Sequence, residues 1–254
     1  MWKKDKLMDP TANKLTPDIP YTVEYNLIIS HTEEGLKLAQ SSFGDYSNRL
    51  YLSDTGLKDT INIETKWDSR LFGEFGFWEW ASNNIRECDR ATLHHYRRKL
   101  PLGLSEIILP MPCDLKAPIL EHLAYFHSPV LVEAFRSIMS PQELSTLQSN
   151  ELLCWNIFKA PQPVIKQWCE YCGNKLTLLL RYFGLEPTIE SVEKFVQDKS
   201  SGLLEPREGK NTDLTYQRRF MACCLERISH CYWNGVPYLR EYKPIKLLQK
   251  NQRI

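Results

Sequence analysis

The stretch "ATLHHYRRKLPLGLSEIILPMP", residues 91–112, decides the fold. Its two apolar ends, "ATLHHY" and "SEIILPM", read as short strands. Between them the chain places two histidines, a tyrosine and three cations, Arg97, Arg98 and Lys99. Strand alternation sends His94 and Tyr96 to one face and His95 and Arg97 to the other. In an α/β sheet the ligand crevice lies beyond the carboxyl ends of the strands, so a strand ending in imidazoles and guanidinia marks a binding edge.

Working outward, "YTVEYNLIIS" (21–30) predicts the first strand, "EEGLKLAQ" a helix, and "RLYLSD" a second strand ending at Asp54. "GEFGFWEWASNN" predicts a helix whose Trp78 and Trp80 belong to the core. Strand and helix alternating in this way predict an α/β sheet. After Asp114 the pattern turns helical through "LKAPILEHLAYF", "PVLVEAFRSIMS" and "PQELSTLQ", with Pro141 where a helix can begin. "ELLCWNIFKA" predicts one more apolar strand. A long helix follows from about Pro163, because Val164, Trp168, Cys172, Leu176, Leu179 and Phe183 recur every three to four residues.

"TIESVEKFVQ" predicts a helix capped by Thr188, and residues 199–213 a mobile loop. The final helix, about 214–233, carries Phe220, Cys224, Ile228 and Cys231/Tyr232 toward the core. Arg219, Cys223, Glu226 and His230 fall on a neighbouring face. The expected organisation is a flexible arm over 1–20, a single domain over 21–245 with a helical C-terminal half, and a tail over 246–254.

The chain has 254 residues, 43% hydrophobic and 25% charged, a composition that suits a self-standing globular core. Its net charge of +1 gives no global field toward nucleic acid or an anionic membrane. No run approaches the ~20 apolar residues of a membrane span. A cytoplasmic location is expected, and with it reduced thiols for the eight cysteines. "CEYC", Cys169 to Cys172, has the spacing of a zinc knuckle or redox pair, but it falls inside a helical pattern with no second pair, which favours buried helix cysteines.

Arg97 and Arg98 offer planar forks suited to phosphate oxygens, so the opening stretch reads as a diphosphate pocket, against the plainer reading of a solvated basic strand end. His31, Thr32, Asp54, His95 and Tyr96 share that edge. There is no Asp-x-Asp pair, no GxxxxGK[ST] and no GxGxxG, which disfavours an ATPase or a nicotinamide enzyme. Arginines can neutralise a diphosphate without an ion; Mn²⁺ or Mg²⁺ as a cofactor stays open.

Eight stretches in order resemble the bacterial domain-of-unknown-function 4422 group, glycosyltransferases of capsule, exopolysaccharide and O-antigen loci. They are "NLIISHT", "YLSDTG", "FWEWASNN", "LHHYRRKL", "EIILPMP", "EHLAYFH", "WNIFKA" and "YQRRFMACCLERI", together spanning about residues 24–245. The resemblance implies a GT-A-like mixed sheet flanked by helices. It also implies transfer of a sugar from a nucleotide diphosphate donor, such as a UDP-hexose or UDP-galactofuranose, to a glycan or lipid-linked glycan acceptor. The inner face of the membrane would then be a working location.

By the same resemblance His95, Tyr96, Arg97 and Arg98 attend the donor phosphates and His31, Thr32 and Asp54 the nucleotide. Asn156, Arg219, Glu226 and Arg227 surround the cleft. Arg97 would stabilise the leaving diphosphate, and Glu226, or His95 in its place, would take the acceptor proton. A structural ion pair of Glu226 with Arg219 or Arg227 is the alternative. Only about eight residues separate Arg98 from the next strand, which leaves a second class of function open: a non-catalytic nucleotide-sugar or glycan-binding component of a polysaccharide assembly complex. Phosphate-directed RNA binding is disfavoured by the near-zero net charge.

Overall fold

The structure, a computed structural model, describes residues 23–248; the expected arm over 1–20 lies outside them. β1 (Glu24–Ile29) leads into α1 (Glu33–Ser42), β2 (Arg49–Ser53) and β3 (Ile61–Asn62). The chain returns through α2 (Ser69–Phe72) and α3 (Phe75–Asn84) to β4 (Arg90–His95), turns tightly into β5 (Arg98–Lys99), and continues as β6 (Ile108–Pro110) and β7 (Cys113–Asp114). The helical half holds α4 (Ile119–Phe126), α5 (Pro129–Ile138), α6 (Pro141–Thr146), β8 (Glu151–Leu152), β9 (Lys159–Pro161), α7 (Gln162–Phe183), α8 (Ile189–Gln197), α9 (Leu214–Gln217) and α10 (Phe220–Gly235). It closes with β10 (Glu241–Lys243) and β11 (Lys246–Leu247).

The main sheet is mixed, in the order β10-β6-β9-β4-β1-β2-β3, with β5 on β4 and β11 on β5. β1 runs parallel to both β2 and β4, and β9 runs antiparallel to β4 and β6. The carboxyl ends of β1, β2, β4 and β6 therefore lie at one edge. This is the α/β class expected, a mixed sheet flanked by helices.

Alternation divides the sheet faces as the period of two requires. Leu27, Ile29, Ala91 and Leu93 join the large core, where Trp168, Cys172, Leu176 and Leu179 of α7 are fully buried. Trp78 stacks on Phe158 at 3.9 Å and donates its Nε1–H to the Asn156 carbonyl at 2.7 Å. On the other face Ile28 packs with Ala39, Phe43 and Tyr46 under α1. His94 lies there too, 5.0 Å from Phe43 and 5.3 Å from Tyr46. α1 sits so close that a Cβ on Gly35 would meet Ser30 Oγ at 2.9 Å and Tyr96 Cδ2 at 3.0 Å.

Cys169 and Cys172 are buried, and burial pushes both thiols up, so this pair is core packing. Three expectations differ from what the chain does. "ELLCWNIFKA" is two strands, β8 and β9, because Trp155 between them takes a left-handed φ of 60° and turns the backbone. Residues 199–213 are packed rather than loose: Ser201, Leu203 and Lys210 are buried, Lys210 Nζ donates to Gly202 O at 2.7 Å, and Arg207 Nη1 donates to Ala124 O at 2.8 Å. The last helix breaks at Arg218–Arg219, where the Arg219 N–H bonds the Tyr216 carbonyl three residues back. At the other end of the domain, Lys246 and Leu247, which fall in the stretch expected as a tail, pair with Lys99 and Arg98.

Candidate functional site: an arginine-rich cleft at the sheet edge

A cavity of about 540 Å³ lies at the carboxyl ends of β1, β2 and β4. β1 delivers His31, β2 delivers Asp54, and the β4–β5 turn delivers His95, Arg97 and Arg98. These five positions come together with Arg219, at the break before α10, as the sequence predicts. The segment around α2 adds Asp68, Ser69, Arg70 and Glu74, and Thr215 and Arg218 close the far wall. Sequence reasoning did not place Asp68, Arg70 or Arg218; the signal for Arg218 was its position next to Arg219, and for Asp68 its cap on α2.

The wall carries two more arginines than carboxylates. Arg70 grips Asp68 with its Nε at 2.9 and 3.1 Å and its Nη2 at 2.5 Å, and Arg218 holds Glu193 at 2.7 Å. Arg98 is held loosely, 4.0 Å from Glu74, and lies 5.2 Å over the Trp155 ring. Arg97 and Arg219 have no ion pair among the described residues. The Arg97 guanidinium rests 5.1 Å from the Tyr96 ring, and its Nε is buried with no hydrogen-bond partner. A guanidinium left unpaired beside other cations raises the free energy of the empty site, and an incoming anion relieves it.

Asp54 accepts from His31 Nδ1 at 3.0 Å and from the Ser69 N–H at 3.3 Å. Burial opposes its ionisation, but these bonds prevail and bring its pKa down to about 2. The two side chains best suited to a cation are thus satisfied by each other and by Ser69, and no group of three or more His, Cys, Asp or Glu among the described residues could hold a metal.

The two histidines of the opening stretch part company. His94 is fully buried, accepts the Leu100 N–H at 3.2 Å on Nδ1 and faces Asn26 Oδ1 with Nε2, and burial brings its pKa down to about 3. It is a structural peg for the segment after β5. His95 lines the cavity and accepts the Arg97 N–H on Nδ1 at 3.2 Å. Burial and then the charges of His31, Arg98, Arg97 and Arg219 hold its pKa well below the ordinary value. A neutral ring whose Nδ1 is taken carries its proton on Nε2, so His95 offers the cavity a donor rather than a base.

Five expected site residues stand outside this wall. Thr32 is exposed and caps α1 through Gly35 N at 3.0 Å. Tyr96 packs toward the α1 face. Asn156 is buried, its Oδ1 without a partner. Arg227 is buried against Cys223 O at 2.7 Å and His122 Nδ1 at 3.1 Å. Glu226 sits behind Arg98 and Trp155, accepting the Trp155 N–H at 3.0 Å with Arg227 Nη1 at 3.4 Å; burial pushes its pKa up.

No protein-family model matches the chain, and no curated protein matches it. Among solved structures it is similar to one described as the WbbM bifunctional glycosyltransferase in its apo form, with a TM-score of 0.51 at 12% identity. The likeness covers 87% of this chain and 44% of that one, so the chain spans less than half of that protein's length. No helix among the described residues is long and apolar enough to cross a membrane. The comparison shows the fold alone: a mixed α/β sheet flanked by helices, shared with part of that protein.

Proposed function

We propose that this chain is a glycosyltransferase acting from a nucleotide diphosphate sugar onto a glycan in surface polysaccharide synthesis, and a relative of the domain-of-unknown-function 4422 group. The observation that carries the reading is Arg97, whose buried Nε has no partner and whose charge faces no carboxylate in a cleft shared with Arg98, Arg219 and the donor face of His95. Such a wall suits a diphosphate, whose charge grows as the sugar departs. His31 and Asp54 form the floor on the nucleotide side.

In the reaction the bond between the anomeric carbon and the diphosphate oxygen breaks, and the electron pair leaves on the diphosphate held by Arg97 and Arg219. The acceptor oxygen bonds the anomeric carbon and gives its proton to a carboxylate. Glu226, outside the arginine wall behind Trp155 with its side chain 23% exposed, is the base we assign; burial raises its pKa above the ordinary carboxylate value. The Trp155 N–H fixes its Oε1.

The test is thermal stabilisation by UDP, UDP-galactose, UDP-galactofuranose, GDP and GDP-mannose, with and without Mn²⁺ or Mg²⁺, followed by donor turnover. A shift by one nucleotide class that disappears in Arg97→Ala is expected; no shift with any of them overturns the reading. A second reading, a non-catalytic nucleotide-sugar-binding component, is favoured by one observation: every carboxylate in the cleft wall faces a cationic or hydrogen-bonding partner. That reading expects donor binding with neither transfer nor donor hydrolysis.

A further inference from the structure

α10 connects the cleft to a second cavity, of about 980 Å³. Arg219, at its start, lines the first; His230 and Asn234 line the second. At 1.5 Å per residue, Arg219 and His230 stand about 16 Å apart along the axis. Glu226 lies between them. The segment after β8 crosses the same interval, with Leu153 in the second cavity and Trp155, two residues on, under Arg98. Both cavities belong to one sheet edge, because Met111 of the second follows β6, and β6 runs in the direction of β4 through their shared antiparallel neighbour β9.

The second wall differs chemically from the first. Neither Lys nor Arg lines it, so it is no place for a diphosphate. Ser145, Gln148, Glu151 and Asn234 supply hydroxyl, amide and carboxylate groups, and Tyr242 presents a ring 37% exposed. The floor holds His230, only 5% exposed, whose Nδ1 accepts the Leu153 N–H at 3.3 Å. Burial brings its pKa down to about 4, so the neutral ring carries its proton on Nε2. The side-chain group near that proton, Asn234 Nδ2 at 3.3 Å, is itself a donor and is already given to His230 O at 2.9 Å. The His230 ring and the Asn234 amide, 3.3 Å apart, thus form a buried polar floor in a cavity with mixed donors and acceptors and one aromatic face. Neutral polyhydroxylated ligands meet those requirements together, with hydroxyls that both donate and accept and ring carbons that pack on an aromatic.

We infer that the second cavity binds the acceptor saccharide, more than one sugar long, with its reacting end directed along α10 toward Glu226. This rests on the transferase reading of the first cavity. It assigns the two substrates to opposite ends of one helix, with the base between them.

The test is backbone and side-chain amide NMR of the isotope-labelled full chain, titrated separately with lactose, maltotriose, α-1,3-mannobiose and UDP. At least one saccharide is expected to move the Asn234 and Ser145 signals. Ser145→Trp, which fills the mouth from an exposed helical position, and Tyr242→Ala, which removes the ring, should each weaken that saccharide by about tenfold. Both should leave the UDP titration unchanged. If none of the saccharides moves second-cavity signals, or if both variants bind as the wild type does, the acceptor site is overturned whatever UDP does. If saccharide binds there but neither UDP nor GDP, titrated in the same way, moves signals near Arg97 and Arg219, it is the transferase reading that falls.

Discussion

Replacing Arg97 with Met keeps an unbranched stem and removes a guanidinium that the free protein holds without a carboxylate partner among the described residues. Leaving a buried polar group unsatisfied costs about 1–3 kcal/mol. Arg97 is half-buried, so the lower end applies, and loss of repulsion from Arg98 and Arg219 acts in the same direction. For a chain of this size about 1 kcal/mol corresponds to roughly 2–4 °C in Tm. The free variant should therefore melt a few degrees higher than the wild type. Its response to UDP should do the opposite. Two charge-assisted bonds to phosphate, about 1.5–3 kcal/mol each, make binding at least about 100-fold weaker when lost. At a UDP concentration about 100 times the wild-type Kd, the wild type gains about 2.7 kcal/mol, or roughly 5–10 °C, and the variant about 0.4 kcal/mol, or roughly 1 °C. Scanning calorimetry with and without UDP reads both. A variant that melts several degrees lower and keeps the full UDP shift would refute the reasoning, showing Arg97 to be a structural cation.

Glu226→Gln should retain the Trp155 bond and UDP affinity yet lower sugar transfer by about 100-fold or more, and transfer within about threefold of wild type removes Glu226 as the base. Gly35→Ala drives a Cβ against Ser30 Oγ and Tyr96 Cδ2; urea unfolding should show a loss of about 1–3 kcal/mol, and an unchanged midpoint would mean that α1 is not held so closely. Acid should weaken the fold well above the carboxylate range. His94 (about 3), His127 (about 4) and His230 (about 4) are depressed below the unfolded value near 6.5, mainly by burial. The stability they contribute is present above pH 6.5 and lost below it, at about 1.4 kcal/mol per pH unit for each, while Glu226, raised by burial, works in the opposite sense. Unfolding free energy should fall by several kcal/mol between pH 7.5 and 5.5; a flat profile would show that these rings are not buried neutral.

Periodicity carried most of the fold. β1, β4 and α7 were legible because each buries one face or stripe of unmixed apolar residues, and strand alternation separated His94 from His95. What escaped depends on single backbone angles and distant carbonyls. The apolar run at 151–160 hides the left-handed Trp155, since a large aromatic gives no hint of positive φ. Residues 199–213 have the composition of a loop, and the bonds that hold them go to backbone carbonyls of residues far along the chain, such as Ala124. In the cleft, residues at strand ends were readable, while Arg70 and Arg218 come from helices whose approach to the sheet is a tertiary fact. Glu226 lies on the face its spacing predicted, but the intervening Trp155 segment keeps it behind the cleft wall.

β11 has a bearing on how the cleft is made during synthesis. The arginine turn between β4 and β5 is clamped from outside by Lys246 and Leu247, and the Leu248 N–H closes on the Arg97 carbonyl at 3.0 Å, some 150 residues downstream. Closing so large a loop is entropically slow, and the pairing it makes is only two residues long. A chain emerging from the ribosome can assemble β1, β2 and β4 early, yet its arginine turn stays unclamped until residue 248 has cleared the exit tunnel. Under the proposed function, donor binding would be a late reporter of maturation: a stalled or clipped chain ending near residue 244 would have its core and lack the clamp on its arginine turn.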